Sequence, residues 1–174
     1  MKKSWGVRFR LETSIAGMCC LLDGSVGGLN RIRGLMTELN CIIRKATHDD
    51  ISLIADFIIP FVEQHKLLPR TLDELDQLID TLFLAEMNGA IVGCAALEIY
   101  SSKLAEVRSL SVRTDLQGKG VGKLLVQACI DLAREREILE VMAITSNENF
   151  FLACGFDWTL PGERKALFLQ TRDL

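Results

Sequence analysis

The chain has 174 residues, of which 49% are hydrophobic and 25% are charged, as in folded globular proteins and unlike disordered ones. This length is sufficient for one domain with its own hydrophobic core. A formal net charge of -3 argues against a general nucleic-acid-binding protein, and no apolar segment approaches the length needed to cross a bilayer. We therefore expect neither a nucleic acid nor a membrane as partner.

The cysteines and histidines do not indicate a metal site. The chain has six cysteines, without a C-x-x-C pair, and two histidines. Most of the cysteines lie inside apolar runs, which is typical of buried thiols. We expect reduced cysteines in a cytoplasmic protein and no bound metal.

Residues 1–39 are glycine-rich and basic, and they show no clear periodicity. A signal peptide is disfavoured, because the apolar run Ser14–Leu22 is short, contains Gly17 and is not followed by a small-residue cleavage site. Two interpretations stay open: a disordered basic arm, and an artefact of start-site choice with translation beginning at Met36. We treat residues 1–39 as an N-terminal extension and residues 40–174 as the domain.

The regular part of the chain begins with a strand and a capped helix. The β-branched run Cys41–Lys45 predicts the strand. Thr47 is followed three residues later by Asp50, a capping pattern that predicts a helix from residue 51 onwards. Pro60 should kink or end this helix, because proline has no backbone N–H to donate.

A second helix and a hairpin follow. Thr71 and Glu74 form another capping pattern. The Asn88-Gly89 pair between two apolar runs is the strongest short sequence pattern for a β-hairpin. The hairpin strands are predicted at Leu82–Glu86 and Ala90–Glu98, and Lys103–Val112 continues the sheet.

A glycine-rich loop, Gln117–Gly122, connects this last strand to a helical pattern that ends at Arg136. Its three glycines let the backbone approach a ligand closely, and the first N–H groups of the helix have no intrahelical partners. Such a loop is typical of a phosphate site. The Walker A motif is excluded because Gln117 and Leu124 replace its first glycine and its Ser or Thr, and the even glycine spacing excludes G-x-G-x-x-G.

The C-terminal part supplies the last predicted elements. Leu139–Thr145 is predicted as a buried strand, and Asn147–Ala153 as a short helix that ends before Gly155. Two final strands are predicted at Phe156–Leu160 and Lys165–Thr171. The complete order is β-α-α-β-β-β-α-β-α-β-β, with the glycine loop between the fourth strand and the third helix.

This order and the pattern Q-x-x-G-x-G, formed by Gln117, Gly120 and Gly122, resemble the Gcn5-related N-acetyltransferases (GNAT superfamily). Several segments are similar to the acetyltransferase domain of N-acetylglutamate synthases. Because no amino-acid-kinase domain precedes them, we expect a short, single-domain form. The similar segments are Ile43–Ile51, Leu68–Thr71, Ile91–Leu97, Ala105–Val112 and Leu160–Lys165.

The resemblance implies an α/β (α+β) fold with a mixed, mostly antiparallel seven-stranded sheet. It also implies a splay between strands 4 and 5, about four flanking helices, and acetyl-coenzyme A as co-substrate. Asn147 either orients the pantetheine arm or caps the last helix, and at least one loop lysine is expected to be merely solvent-exposed. The expected coenzyme-binding residues are Leu110, Ser111, Val112, Gln117, Gly118, Lys119, Gly120, Val121, Gly122, Lys123, Asn147 and Phe150.

The resemblance also implies the catalytic groups. Glu106 lies where the family places its proposed general base, which takes a proton from the acceptor amine and works best with a raised pKa. The alternative for Glu106 is an ion pair with Arg108, and both interpretations stay open. A backbone N–H near Leu110 is the expected oxyanion donor. Many relatives protonate the leaving thiolate with a tyrosine after the fifth strand, but this chain has phenylalanines there and its single tyrosine, Tyr100, elsewhere.

Arginines are candidates for binding the acceptor, because a guanidinium matches a carboxylate with two parallel hydrogen bonds. Arg70 and Arg108 are the first candidates, with Arg164 or Arg172 as further ones. We expect a cytoplasmic, acetyl-coenzyme A-dependent N-acetyltransferase acting on the α-amine of an amino acid, with glutamate in arginine biosynthesis as the first candidate. A peptide N-terminus, polyamine or antibiotic as acceptor, and a non-catalytic coenzyme-binding regulator, stay open as alternatives, as does a homodimer.

Overall fold

The computed structural model describes residues 41–158, and the predicted division of the chain at residue 40 therefore stays a prediction. The strands and helices within this range follow the predicted order from the first strand to the last helix, and this part of the prediction is confirmed. The strands are β1 (Cys41–Lys45), β2 (Leu82–Met87), β3 (Ala90–Ile99), β4 (Leu104–Val112) and β5 (Glu140–Met142), and the helices are α1 (Ile51–Glu63), α2 (Leu72–Leu78), α3 (Val121–Glu135) and α4 (Glu148–Leu152).

The five described strands form one sheet in the order β1-β2-β3-β4-β5. All neighbours are antiparallel except β4 and β5, which are parallel. Asn88 and Gly89 have φ angles of 52° and 77°, the two positive values that a tight hairpin turn between β2 and β3 requires. The hairpin prediction is thus confirmed. Of the two strands predicted last, Phe156–Leu160 runs past the described residues and Lys165–Thr171 lies outside them.

Helices cover both faces of the sheet. Helix α3 packs on one face and helices α1 and α2 pack on the other, and each face has its own apolar core. This three-layer arrangement buries the apolar side chains of both faces of the central strands. The α3 face includes Val92, Leu97, Val107, Leu125 and Val126, and the opposite face includes Ile54, Ile58, Leu75, Leu82 and Ala96.

The cysteines that the structure describes are free thiols, as predicted. Cys41, Cys94 and Cys129 are buried, and Cys154 is partly buried. Burial raises the pKa of Cys94 to about 11 and that of Cys129 to about 12, so both stay protonated at neutral pH. Among residues 41–158, no cluster of three His, Cys, Asp or Glu side chains is suited to a metal ion, and no helix is long and apolar enough to span a membrane.

Pro60 was predicted to kink or end helix α1; the helix continues past it to Glu63, so proline does not end it. Pro60 lies in the last turn, where its missing N–H leaves only the carbonyl of Asp56 without an intrahelical bond. Both residues are on the exposed side of the helix, where water can bind that carbonyl.

Strand β5 is shorter and less buried than predicted. It contains only Glu140–Met142, and the flanking side chains of Leu139 and Ile144 are 74% and 55% exposed. The reason is that β4 and β5 pair only between Leu104–Glu106 and Glu140–Met142, after which the two strands diverge. The predicted splay between strands 4 and 5 is thereby confirmed.

A buried carboxylate holds the start of α1 to the sheet. Asp50 accepts hydrogen bonds from both terminal nitrogens of Arg44 at 2.8 Å and from the N–H and hydroxyl of Thr47 at 2.8 and 2.9 Å. Arg44 also donates from Nε to Glu86 on β2 at 2.7 Å. The capping pattern of Thr47 and Asp50 is confirmed, and the Arg44 guanidinium holds the pKa of Asp50 well below its usual range.

We expect Asp50→Asn to lower the free energy of unfolding by about 3 kcal/mol at neutral pH, because Arg44 loses its buried anionic partner. The depressed pKa of Asp50 in the folded state means that its contribution is complete above about pH 4 and is lost as the pH falls further. Denaturant unfolding at pH 7 and at pH 3 should therefore show a smaller difference between variant and wild type at the lower pH. Asp49→Asn, at the exposed neighbouring position, is the matched control.

Candidate active site

Strand β4 contains a β-bulge next to the point where it leaves β5. Cys94 of β3 pairs with Ser111, but Ala96 pairs with Arg108, so β4 has one more residue than β3 over this interval. Ser109 takes up the extra residue with a φ angle of +54°, which is uncommon for a residue other than glycine. The pairing with β3 leaves out Ser109 and its successor, Leu110.

The bulge reverses the alternation of side chains along β4. Before it, Val107 points to the α3 face and Glu106 to the opposite face; after it, Leu110 and Val112 pack on the α3 face. The carbonyl of Ser109 accepts hydrogen bonds from the Ser111 hydroxyl at 3.2 Å and from the Cys94 thiol at 3.4 Å, which fixes the bulge from its buried side. The half of β4 beyond the bulge therefore presents a different set of side chains and backbone groups to the gap between the strands.

A cleft of about 1020 Å³ occupies this gap. Its wall consists of β4 from Glu106 to Val112, and its two ends differ in chemistry. One end holds the glycine loop and the start of α4, and the other holds the segment before α2. Predicted site residues at the cleft are Arg70, Glu106, Arg108, Leu110, Ser111, Val112, Gln117, Gly118, Gly120, Gly122, Lys123, Asn147 and Phe150.

Two predicted coenzyme residues do not line the cleft. Lys119 is exposed, in agreement with the expectation that at least one loop lysine is merely solvated. The side chain of Val121 is 1% exposed and belongs to the apolar core, so only its backbone N–H remains available to a ligand.

The glycine loop has the backbone conformation that its sequence indicates. Gly118 and Gly120 have φ angles of 75° and 89°, a region that favours glycine. The side-chain amide of Gln117 donates to the carbonyl of Val112 at 3.0 Å and thereby ties the loop to the end of β4. Within the described residues, the N–H groups at the first three positions of α3 have no backbone acceptor, as expected at a helix N-terminus.

Helix α4 packs against the last glycine of the loop. A Cβ atom on Gly122 would lie 3.3 Å from Cζ of Phe150, so this glycine allows the close approach of the aromatic ring. Asn147 accepts a hydrogen bond from the N–H of Phe150 at 3.3 Å, and the capping interpretation of Asn147 is confirmed. Because both side chains also line the cleft, the cap fixes the position of one of its walls.

At the other end of the cleft, Glu106 is nearly buried, with 7% of its side chain exposed. Tyr100 donates its hydroxyl hydrogen to Oε2 of Glu106 over 2.5 Å. Arg108, the alternative partner considered from the sequence, lies 4.0 Å from the same oxygen through Nε but donates from Nη1 to Glu98 at 2.7 Å. The close ion pair of Arg108 is therefore with Glu98.

Arg70 is the second guanidinium of this end and is also nearly buried, with 11% of its side chain exposed. Its closest carboxylates are Glu98 at 3.8 Å and Glu74 at 3.9 Å, both beyond hydrogen-bonding distance. Within residues 41–158 the Arg70 side chain makes no hydrogen bond, and it lines the cleft. Arg164 and Arg172, the further candidates, lie outside the described residues.

Three polar residues of this end are not apparent from local sequence patterns: Lys66, which lines the cleft, and Tyr100 and Glu98, which contact predicted site residues. Glu98 lies directly opposite Glu106 in the pairing of β3 with β4. Knowledge of this register would have identified the pair, but the sequence does not specify it.

Residues 50–156 match the model of the acetyltransferase (GNAT) family, and the chain belongs to this family. An uncharacterized N-acetyltransferase of Chlorobaculum tepidum is 31% identical over 121 residues, which cover 70% of this chain and 78% of that protein. The amino-acid acetyltransferase of Mycobacterium tuberculosis is 28% identical over 66% of this chain and 67% of its own length. That of Vibrio atlanticus is 29% identical over 75% of this chain, which spans only 31% of that longer protein.

Solved structures agree with this assignment. A Mycobacterium tuberculosis protein in complex with CoA superposes with a TM-score of 0.61 and 26% identity, over 72% of this chain and 76% of its own. N-acetylglutamate synthase from Neisseria gonorrhoeae, complexed with coenzyme A and N-acetyl-glutamate, superposes with a TM-score of 0.59 and 33% identity, over 65% of this chain and 27% of its own. The predicted GNAT fold and N-acetyltransferase class are confirmed.

Proposed function

We propose that this N-acetyltransferase moves the acetyl group of acetyl-coenzyme A to the α-amine of an amino acid, with glutamate as acceptor, in cytoplasmic arginine biosynthesis. One observation carries the proposal: the same cleft joins a helix-terminal glycine loop to a buried carboxylate and to an arginine whose side chain makes no hydrogen bond within residues 41–158. The names of the relatives, amino-acid acetyltransferase and N-acetylglutamate synthase, support this acceptor class. A homodimer is a separate proposal, which light scattering would test.

The coenzyme is proposed to lie along the open side of β4. Pairing with β5 ends at Glu106, so those backbone groups of Leu110, Ser111 and Val112 that do not bond to β3 face the gap, where the pantetheine amides are proposed to pair with them in the manner of an added strand. The N–H of Leu110 is the proposed oxyanion donor. The pyrophosphate is assigned to the loop Gln117–Lys123, where free helix N–H groups favour an anion.

Gly120→Val tests the loop assignment. Gly120 has a φ angle of +89°, which a β-branched residue tolerates poorly, so we expect the loop to distort and the dissociation constant of coenzyme A to rise about tenfold or more. Isothermal titration calorimetry measures this directly. Gly89→Val is the matched control, because Gly89 also has a positive φ angle but lies in the hairpin turn away from the cleft. Unchanged affinity in Gly120→Val would contradict a pyrophosphate site at this loop.

The proposed chemistry is direct transfer within a ternary complex. Glu106 takes a proton from the acceptor ammonium, directly or through a water, and the neutral amine attacks the thioester carbonyl carbon. The N–H of Leu110 stabilises the oxyanion while the C–N bond forms. The nitrogen then loses its second proton to solvent water, and the C–S bond breaks. The coenzyme leaves as a thiolate with a reference pKa near 8.5, so solvent can protonate it without a dedicated acid.

Glu106→Gln should reduce kcat by about 100-fold or more near neutral pH, since the amide cannot accept the proton. The dissociation constant of coenzyme A should stay the same, because the coenzyme is proposed to contact the other half of β4. Release of free thiol gives the rate, and Asp131→Asn, an acid-to-amide change on the surface of α3, is the control. An unchanged rate in Glu106→Gln would remove Glu106 as the base.

Arg70 is proposed to bind the carboxylate next to the reacting amine. It is nearly buried and lines the cleft, and its nearest carboxylates in the described part of the chain are 3.8 and 3.9 Å away, whereas Arg108 is already paired with Glu98 at 2.7 Å. The second carboxylate of glutamate would then contact Lys66, which also lines the cleft.

Arg70→Lys should raise the acceptor KM by about 10- to 100-fold with a smaller effect on kcat, because lysine keeps the charge but cannot form two parallel hydrogen bonds. Arg134→Lys on the exposed side of α3 is the matched control. The acceptor panel consists of glutamate, glutamine, alanine and spermidine. Equal rates with glutamate and alanine would reject glutamate as the preferred acceptor, and coenzyme binding without turnover on any amine would indicate a regulator.

A further inference from the structure

Two carboxylates lie side by side at the acceptor end of the cleft. Glu98 and Glu106 are direct cross-strand partners on β3 and β4, an arrangement that is unfavourable when both are charged. The titratable and charged groups around them are Tyr100 from the turn after β3, Arg108 from β4, and Arg70 from the segment before α2. Glu74 of α2 lies 3.9 Å from Arg70.

Arg108 is shared unequally between the two carboxylates. Its Nη1 donates to Glu98 at 2.7 Å, whereas its Nε is 4.0 Å from Glu106. A close ion pair stabilises the charged form of a carboxylate and makes it a weaker base. By holding Arg108, Glu98 prevents such a pair from forming at Glu106.

Tyr100 provides Glu106 with a neutral donor instead. Its hydroxyl lies 2.5 Å from Oε2, and within the described residues Oε1 accepts no hydrogen bond. Partial burial and then the hydrogen bond to Glu106 raise the pKa of Tyr100 to about 12, so the tyrosine keeps its proton at neutral pH. The backbone N–H of Tyr100 donates to the carbonyl of Leu104 at 3.1 Å, which fixes the residue in the turn before β4.

We propose that Tyr100 and Glu98 are positioning residues that set the base strength of Glu106 in opposite directions. Tyr100 orients the carboxylate through Oε2 and leaves Oε1 for the proton of the acceptor amine. Glu98 retains Arg108 and so keeps Glu106 from becoming one half of a tight ion pair. This inference rests on the proposed role of Glu106 as general base.

The test is the pH dependence of kcat at saturating acetyl-coenzyme A and acceptor. In Tyr100→Phe the carboxylate loses a donor to its charged form, so the acid limb of the profile should move about one unit to higher pH. In Glu98→Gln the released Arg108 can approach Glu106, so the limb should move about one unit to lower pH and the plateau rate should fall several-fold. Shifts of opposite sign are not expected from a general loss of packing.

Asp131→Asn is again the surface control. The dissociation constant of coenzyme A and the midpoint temperature of thermal unfolding, measured for each variant, show whether it is folded. Shifts in the same direction, or no shift in either variant while Glu106→Gln loses turnover, would overturn the inference and leave the proposed function intact. An unchanged rate in Glu106→Gln would instead reject the base assignment itself. Because Tyr100 is about half exposed and Glu98 is partly exposed, both variants are expected to fold.

Discussion

The divergence of β4 from β5 is the constraint on which the site depends. A parallel pair that continued to the end of β4 would close the sheet and leave no cleft. The three paired positions at Leu104–Glu106 hold the two strands together at one end, and the bulge at Ser109 then turns β4 before it reaches the glycine loop. Bulges are frequent beside active sites because they redirect side chains without ending the strand.

The same divergence separates two kinds of chemistry along one strand. Residues of β4 before the bulge belong to a cluster of buried and partly buried charges, with Glu106 and Arg108 on the face of α1 and α2. Residues after it, from Leu110 to Val112, offer backbone groups and lead to the loop through the hydrogen bond of Gln117. The proposed positions of the acetyl donor and the acceptor are thus neighbours in two different environments.

Much of the fold could be predicted because its determinants are local. The capping pairs Thr47–Asp50 and Thr71–Glu74 fix the starts of α1 and α2, and Asn88-Gly89 fixes the hairpin. The glycine loop was found in the same way.

The end of the cleft around Glu106 could not be predicted to the same extent, because its contacts depend on the register of β3 against β4. A shift of one residue would move every side chain to the other face, and local sequence patterns do not exclude it. For this reason the contacts Tyr100–Glu106 and Glu98–Arg108 appear only in the structure. The length of β5 was predicted wrongly on related grounds, since it depends on where the neighbouring strand turns away.

The hydrogen bond from Gln117 to the carbonyl of Val112 has a consequence for affinity. It holds the loop in its curved form before any ligand arrives, together with the positive φ angles of Gly118 and Gly120. A loop that is already ordered loses little conformational entropy when an anion binds, so more of the interaction energy appears as binding free energy. At the proposed pyrophosphate site, the Gln117 side chain thus strengthens binding by preorganisation, through a hydrogen bond made within the protein.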